Sequence, residues 1–169
     1  MAAELIDGKI VAASVRERVA RDAAELTTER GRAPGLATVL VGEDPASHIY
    51  VRRKREACAE VGISSVHHEL DAGAPADELR ALVRSLNNNA LVDGILVQMP
   101  LPAGHDPDAV IREISPGKDV DGLTAANAGL VAQGQARLAL DPSPSVDAAA
   151  LSPGEALGLA PATPQGVME

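Results

Sequence analysis

Leu36-Ala-Thr-Val-Leu-Val-Gly-Glu-Asp-Pro-Ala-Ser-His-Ile-Tyr-Val-Arg-Arg-Lys54 reads as a strand, a turn and the first half of a helix. Leu36 to Val41 is a short apolar run, and Gly42 breaks it. Asp44 is a good helix N-cap, and Pro45 suits the first helical position, where its missing N–H costs nothing. The helix then runs to about Val61 and stops at Gly62, a residue suited to the left-handed conformation that ends helices.

The same alternation recurs on either side. Ile10, Val11, Val15, Val19 and Leu26 among charges give an amphipathic helix over 9–30, ended by Gly31. Residues 63–70 form a poorer strand in which Val66, His68 and Leu70 alternate. Pro75 opens a helix whose Leu79, Leu82, Val83 and Leu86 keep the i, i+3, i+4, i+7 pattern. Gly94 to Met99 is a buried strand, and Asp106-Pro107 caps a short helix with Val110, Ile111 and Ile114. Strands alternating with helices predict an α/β domain with a mostly parallel sheet flanked by helices.

From Asp141 the character changes. Closely spaced prolines and alanines without periodicity predict an irregular linker or mobile loop over 141–158. Residues 159–169 read as the opening of a second domain, so the expected division is 1–140, 141–158 and 159–169. The chain is expected to be the front part of something longer.

The 169 residues suffice to bury one core without disulfides. A single cysteine, Cys58, excludes a disulfide framework and fits a reducing compartment. No signal peptide and no membrane-length apolar run is visible, so a soluble cytoplasmic protein is the default. A net charge of −9 argues against a nucleic-acid partner.

Around the helix that follows Asp44, a step of about 100° per residue places Ser47, Tyr50, Val51, Lys54, Ala57, Cys58 and Val61 in one arc. Arg52, Arg55, Glu56 and Glu60 fall opposite, with Arg53 at a margin. Lys54 thus lies within the apolar stripe, and Tyr50 is its i−4 neighbour. Tyr50 is the only aromatic residue in a chain with no Trp and no Phe, which suits a site better than bulk packing. A partly desolvated amine gives up its proton more readily and can act as a general base near neutral pH. Taken alone, the helix favours the ordinary alternative, in which Lys54 snorkels past the stripe and Tyr50 packs.

Ligands of open parallel sheets bind beyond the carboxyl ends of the strands. Lys54 follows one such end and Gln98 lies at another, so the two share a cleft edge if their strands are parallel neighbours. Gln98 would then orient the amine or a substrate through its carbonyl oxygen, although polar residues commonly end strands for no such reason. In Gly117-Lys-Asp-Val-Asp-Gly122, Asp119 and Asp121 suit turn or capping duty. A carboxylate there could also grip a heterocycle bearing an amino group beside a ring N–H, through two parallel hydrogen bonds. The calcium-loop spacing is incomplete. His67 and His68 point to opposite sides of a strand and are poor joint metal ligands. No Gly-x-Gly-x-x-Gly or phosphate-loop motif occurs.

Four motifs in order carry a resemblance: Val41-Gly-x-x-Pro-Ala-Ser-x-x-Tyr-Val-x-x-Lys54, Gly94-Ile-Leu-Val-Gln-Met-Pro-Leu101, Pro116-Gly-Lys-Asp-Val-Asp-Gly-Leu123 and Pro161-Ala-Thr-Pro-Gln-Gly166. The chain resembles the bifunctional methylenetetrahydrofolate dehydrogenase/methenyltetrahydrofolate cyclohydrolase family over about residues 4–135 and again over 159–169. The resemblance implies that Lys54 transfers protons in the cyclohydrolase step and that Tyr50 lies over the pterin. It further implies that Gln98 partners Lys54, that Asp121 holds the amino-pyrimidine edge and that Ser47 supports the site.

It also implies an NADP cofactor bound by a following Rossmann domain, a folate substrate, a role in one-carbon metabolism and purine biosynthesis, and a homodimer in full-length members. No metal is implied. Two departures stand out: the chain stops where the Rossmann domain should begin, and the segment from Leu140 to Leu157 is longer and richer in Pro and Ala than usual. Two readings follow from the sequence. One is the catalytic folate-binding domain of the bifunctional enzyme; the other is a non-catalytic folate-binding or interaction module left by truncation.

Overall fold

The computed structural model describes residues 8–133, together with the backbone of 136–137 and 158–159. The elements in order are α1 (Gly8–Arg30), β1 (Gly35–Val41), α2 (Pro45–Glu60), β2 (Ser64–Leu70), α3 (Ala76–Asn87), β3 (Gly94–Val97), α4 (Pro107–Glu113), a single 3₁₀ turn (Pro116–Lys118), α5 (Ala125–Ala132), β4 (Ala136–Arg137) and β5 (Gly158–Leu159). The expected alternation holds from α1 to α4. The expected linker falls outside the described residues except for Gly158, which pairs with Ala136.

β1 is the central strand of a three-stranded parallel sheet of order β2-β1-β3. Each crossover runs through a helix, and α2 and α3 lie on opposite faces. Ala37, Val39 and Val41 of β1 pack with Leu79, Val83 and Leu86 of α3, with Ile95 and Val97 of β3, and with Val110 and Ile114 of α4. Alternation along the strand sends Thr38 and Leu40 to the other face, against which α2 buries Val51 and Cys58. Leu79 is wholly buried, and its truncation to alanine would cost about 2–5 kcal/mol.

Two local devices fix this frame. Asp44 caps α2 as the sequence predicts, accepting from the Ser47 N–H at 2.8 Å, with Pro45 at the first helical position. Gly42 turns the chain from β1 into that helix with φ of 83°, a conformation glycine adopts without strain. The start of β1 is tied to the approach to β3 by Asp93, whose oxygens accept from the Arg32 guanidinium at 2.6 and 2.8 Å and from the Gly35 N–H at 2.8 Å.

The structure corrects the sequence at three places. β3 ends at Val97 rather than Met99, although the Gln98 N–H still donates to the Val39 carbonyl at 2.8 Å and continues the ladder one step. α1 is less embedded than its pattern suggests: Ile10 is exposed, and Ala23 is the one α1 residue fully buried. Val66 of β2, one of the two edge strands, is also exposed.

Candidate functional site

In a sheet of order β2-β1-β3, the connections leaving β1 and β3 diverge to opposite faces, and a crevice opens beyond their carboxyl ends. Lys54 of α2 and Gln98 at the end of β3 meet there. Lys54 Nζ donates to Gln98 Oε1 at 3.2 Å, and Gln98 Nε2 donates to the Met99 carbonyl at 2.7 Å. The second bond fixes the amide, so that its oxygen faces the amine. The condition set by the sequence, parallel and adjacent strands, is therefore met by β1 and β3.

The remaining face of α2 follows the predicted arc with one exception. Ser47, Val51 and Cys58 are buried, Lys54 and Ala57 are half-buried, and Arg52, Arg53, Arg55, Glu56 and Glu60 are exposed. Burial pushes the Cys58 thiol up from its ordinary pKa and keeps it protonated. Tyr50 is the exception, being 57% exposed beside the crevice rather than packed in the stripe. Ser47 serves the helix start: its hydroxyl and N–H both bond to the Asp44 carboxylate and hold it below the usual carboxylate range.

The loop after α4 reaches the site because it packs along β3. Asp119 forms a parallel bridge with Ile95. Gly94 makes that approach feasible, since a Cβ there would stand 2.5 Å from Val120 Cγ1. The two carboxylates of this loop separate sharply. Asp119 is 1% exposed and accepts from the Thr124 N–H at 2.8 Å and from the Asn127 amide at 2.9 Å. It has the turn-and-capping duty foreseen for both. Asp121 is half-buried, and burial raises its pKa above the ordinary range, offset in part by the nearby Lys54 charge. Lys54 and Gln98 are thus in contact, the Asp121 carboxylate lies near enough to feel the Lys54 charge, and Tyr50 on the same helix is exposed.

Asn127 and α5 were not foreseen. Asn127 is 2% exposed and lies in a helix with neither charges nor a clear apolar period, Ala-Ala-Asn-Ala-Gly-Leu-Val-Ala. The available signal was Thr124, whose hydroxyl caps that helix by accepting from the Asn127 N–H at 3.4 Å.

A cavity of about 890 Å³ lies between the starts of α2 and α3, lined by Glu43, Glu69, Asp71 and Glu78 with His48. Its carboxylates make it unsuited to a phosphate. The helix starts that follow β1, β2 and β3 are each unsuited to the diphosphate of a dinucleotide. Asp44 caps α2, Asp77 and Glu78 occupy the first turn of α3, and Asp106 and Asp108 start α4, so a diphosphate would meet a carboxylate at each. His67 bonds Thr38 Oγ1 through Nδ1 at 3.1 Å, and no group of metal-ligating side chains occurs among the described residues. No helix among them is long and apolar enough to cross a membrane.

Comparison with known proteins matches residues 6–121 to the tetrahydrofolate dehydrogenase/cyclohydrolase catalytic domain. Bifunctional protein FolD 2 of Frankia alni is 47% identical over the whole chain, which covers 51% of that relative. Bifunctional protein FolD of Rhodopseudomonas palustris is 53% identical over 134 residues, 79% of this chain and 45% of its own length. The crystal structure of the bifunctional FolD methylenetetrahydrofolate dehydrogenase/cyclohydrolase of Campylobacter jejuni superposes with a TM-score of 0.76 at 39% identity, over 79% of this chain and 47% of that one. A Trypanosoma brucei methylenetetrahydrofolate dehydrogenase-cyclohydrolase complexed with NADP and inhibitor gives 0.73 at 36%, over 76% and 44%. The chain spans about half the length of the curated relatives it matches. With a parallel α/β frame, a Lys54–Gln98 pair at its crevice and a matched stretch covering most of the described residues, the chain belongs to the tetrahydrofolate dehydrogenase/cyclohydrolase family and carries its catalytic domain.

Proposed function

We propose that this chain supplies the folate-binding and proton-transferring part of an enzyme that interconverts one-carbon forms of tetrahydrofolate, with hydrolysis of methenyl-tetrahydrofolate as the step its own residues serve. The observation that carries this reading is the 3.2 Å bond from Lys54 Nζ to Gln98 Oε1 at the sheet crevice, with the Asp121 carboxylate in the field of the same amine.

In this reading each residue takes a role that its chemistry suits. Asp121, acceptor-only when ionised, suits the amino-pyrimidine edge of a pterin through two parallel hydrogen bonds. Tyr50, at the margin of the crevice, offers a ring to stack on that heterocycle. The methenyl carbon carries positive charge between two nitrogens and is open to attack by water. Lys54 is placed to take the proton of the attacking water and to return one to the departing nitrogen when a C–N bond breaks. Gln98 holds the amine in place through either protonation state, because its amide is itself pinned by Met99.

Oxidation of methylene-tetrahydrofolate needs a hydride acceptor, and NADP supplies that chemistry in the dehydrogenase reading. The carboxylates at the starts of α2, α3 and α4 do not suit the diphosphate of NADP, and the roles of Lys54, Gln98 and Asp121 stop at binding and proton transfer. In this reading residues 1–140 are the folate-binding domain, 141–158 a connection and 159–169 the opening of a second unit.

The test is loss of methenyl-tetrahydrofolate absorbance with the 169-residue chain beside its Lys54→Met variant. Methionine keeps the apolar contacts of the stem. Hydrolysis above the spontaneous rate, lost in the variant, supports the assignment. Equal rates in both would sink the role of Lys54. A folded chain that binds tetrahydrofolate without hydrolysing the methenyl form would favour a folate-binding module instead.

A further inference from the structure

The Asp121 turn is held to the sheet by residues that play no part in the chemistry above. The chain reverses between Asp119 and Gly122, whose N–H returns to the Asp119 carbonyl at 3.2 Å, and Asp121 is the third residue of that turn. Asp119 anchors the turn, with its backbone bridged to Ile95 and its carboxylate turned inward. What fills that carboxylate comes from α5. Oδ2 takes the Thr124 N–H at 2.8 Å and Asn127 Nδ2 at 2.9 Å. The same Asn127 amide also donates to the Pro116 carbonyl at 3.0 Å. One buried side chain therefore joins the start of the loop at Pro116, the anchor at Asp119 and the first turn of α5.

A buried amide is costly unless its donors are satisfied, and once satisfied it holds direction as well as distance. An apolar residue at position 127 could pack α5 against the loop, but it could not set the orientation of the Asp119 carboxylate. That orientation matters because Asp119 and Asp121 flank Val120 within one turn closed by the Gly122 N–H on the Asp119 carbonyl, so a shift of the anchored Asp119 is passed on to Asp121. Rotation of Asp119 out of its pocket would swing Asp121 away from Lys54.

We propose that Asn127 is a positioning residue for folate recognition, its amide clamping Asp119 and Pro116 so that the Asp121 carboxylate faces the crevice of Lys54. This rests on the assignment of Asp121 to the pterin.

The experiment is a double-mutant cycle in the full 169-residue chain: parent, Asn127→Ala, Asp121→Ala and the double variant. Each is titrated directly with tetrahydrofolate, with thermal melting in parallel. The expected result is a loss of affinity of about tenfold in Asn127→Ala, and no further loss when it is added to Asp121→Ala, because both act through one group. Losses that add in the double variant would mean a structural role independent of Asp121 and overturn the proposal. So would parent-like affinity in Asn127→Ala beside weakened Asp121→Ala. If Asp121→Ala binds as the parent does, or the parent does not bind, the reading of the site fails and the clamp fails with it. Should Asn127→Ala not fold, Asn127→Ser carries the same cycle, since serine keeps a polar atom in the pocket but cannot reach Asp119 and Pro116 together.

Discussion

Lys54 and Gln98 stand 44 residues apart in the chain and 3.2 Å apart in space, joined from Nζ to Oε1 across the crevice between β1 and β3. The contact exists because two parallel strands end side by side and α2 begins where one of them stops. A hydrogen bond to an amide pinned at the end of a strand gives the proton carrier a fixed address.

That contact predicts different outcomes for its two partners. Lys54→Met removes the proton carrier, and hydrolysis of methenyl-tetrahydrofolate should fall by about 10²- to 10⁴-fold. Gln98→Met leaves the amine in place but unheld, and the fall should be smaller, about 10²-fold or less. Steady-state rates of both variants at saturating substrate check the order. A Gln98 variant as inactive as Lys54→Met would show that the amide itself takes part in the chemistry.

Asp121 should trade stability for binding. Burial raises its pKa in the folded chain, so the folded state holds the proton more tightly than the unfolded one. The stability this contributes is present below the unfolded pKa and lost as the pH rises through the raised folded value. Asp121→Asn should therefore melt above the parent at neutral pH, with the gap closing as the pH falls below the ordinary carboxylate range. The same variant should bind tetrahydrofolate more weakly, and parent affinity should decline with falling pH earlier than an unshifted carboxylate would allow. Melting and titration across pH 3 to 8 (roughly the span in which such a carboxylate changes charge) test both signs.

The Asp93 carboxylate has the opposite sign. Its bonds to Arg32 hold it down at about 2, from an ordinary 3.8. The stability contributed is present above the unfolded value and lost as the pH falls from there toward about 2. With both side chains near the surface, it amounts to about 1 kcal/mol after screening. Asp93→Asn should lower the melting temperature at neutral pH and show less further loss in acid than the parent. A parallel acid limb in the two proteins would contradict it.

Gly94→Ala should damage the site without touching it. The new methyl would stand 2.5 Å from Val120 Cγ1 and 3.3 Å from Leu36 Cδ1, and a β-branched valine cannot swing clear. The expected cost is about 1–3 kcal/mol of stability, with weakened tetrahydrofolate binding because Val120 lies between Asp119 and Asp121. Binding unchanged in a folded variant would show that the loop tolerates the shift.

The sequence by itself determined the alternation of strands and helices and the cap at Asp44. It also determined the separation of Lys54 from its charged neighbours on α2. Each is a local property, set by apolar period and by backbone groups left open at helix ends, and each survives in the structure. The rule for strand ends placed Gln98 beside Lys54 on the condition that β1 and β3 are parallel neighbours, whereas Asp121 came to the site only through the resemblance.

Tertiary structure decided the rest. Two aspartates with the same local context became a buried anchor, Asp119, and a half-buried carboxylate near Lys54, Asp121, because Asp119 alone bridges β3 and takes donors from α5. Asn127 gained its importance in the same way, from a helix with no pattern to betray it. Tyr50, placed by the helical wheel among apolar residues, stands exposed although Ser47 and Val51 beside it in the stripe are buried. Local pattern reports which face a residue takes, whereas the identity of whatever lies opposite that face is fixed only when distant segments pack.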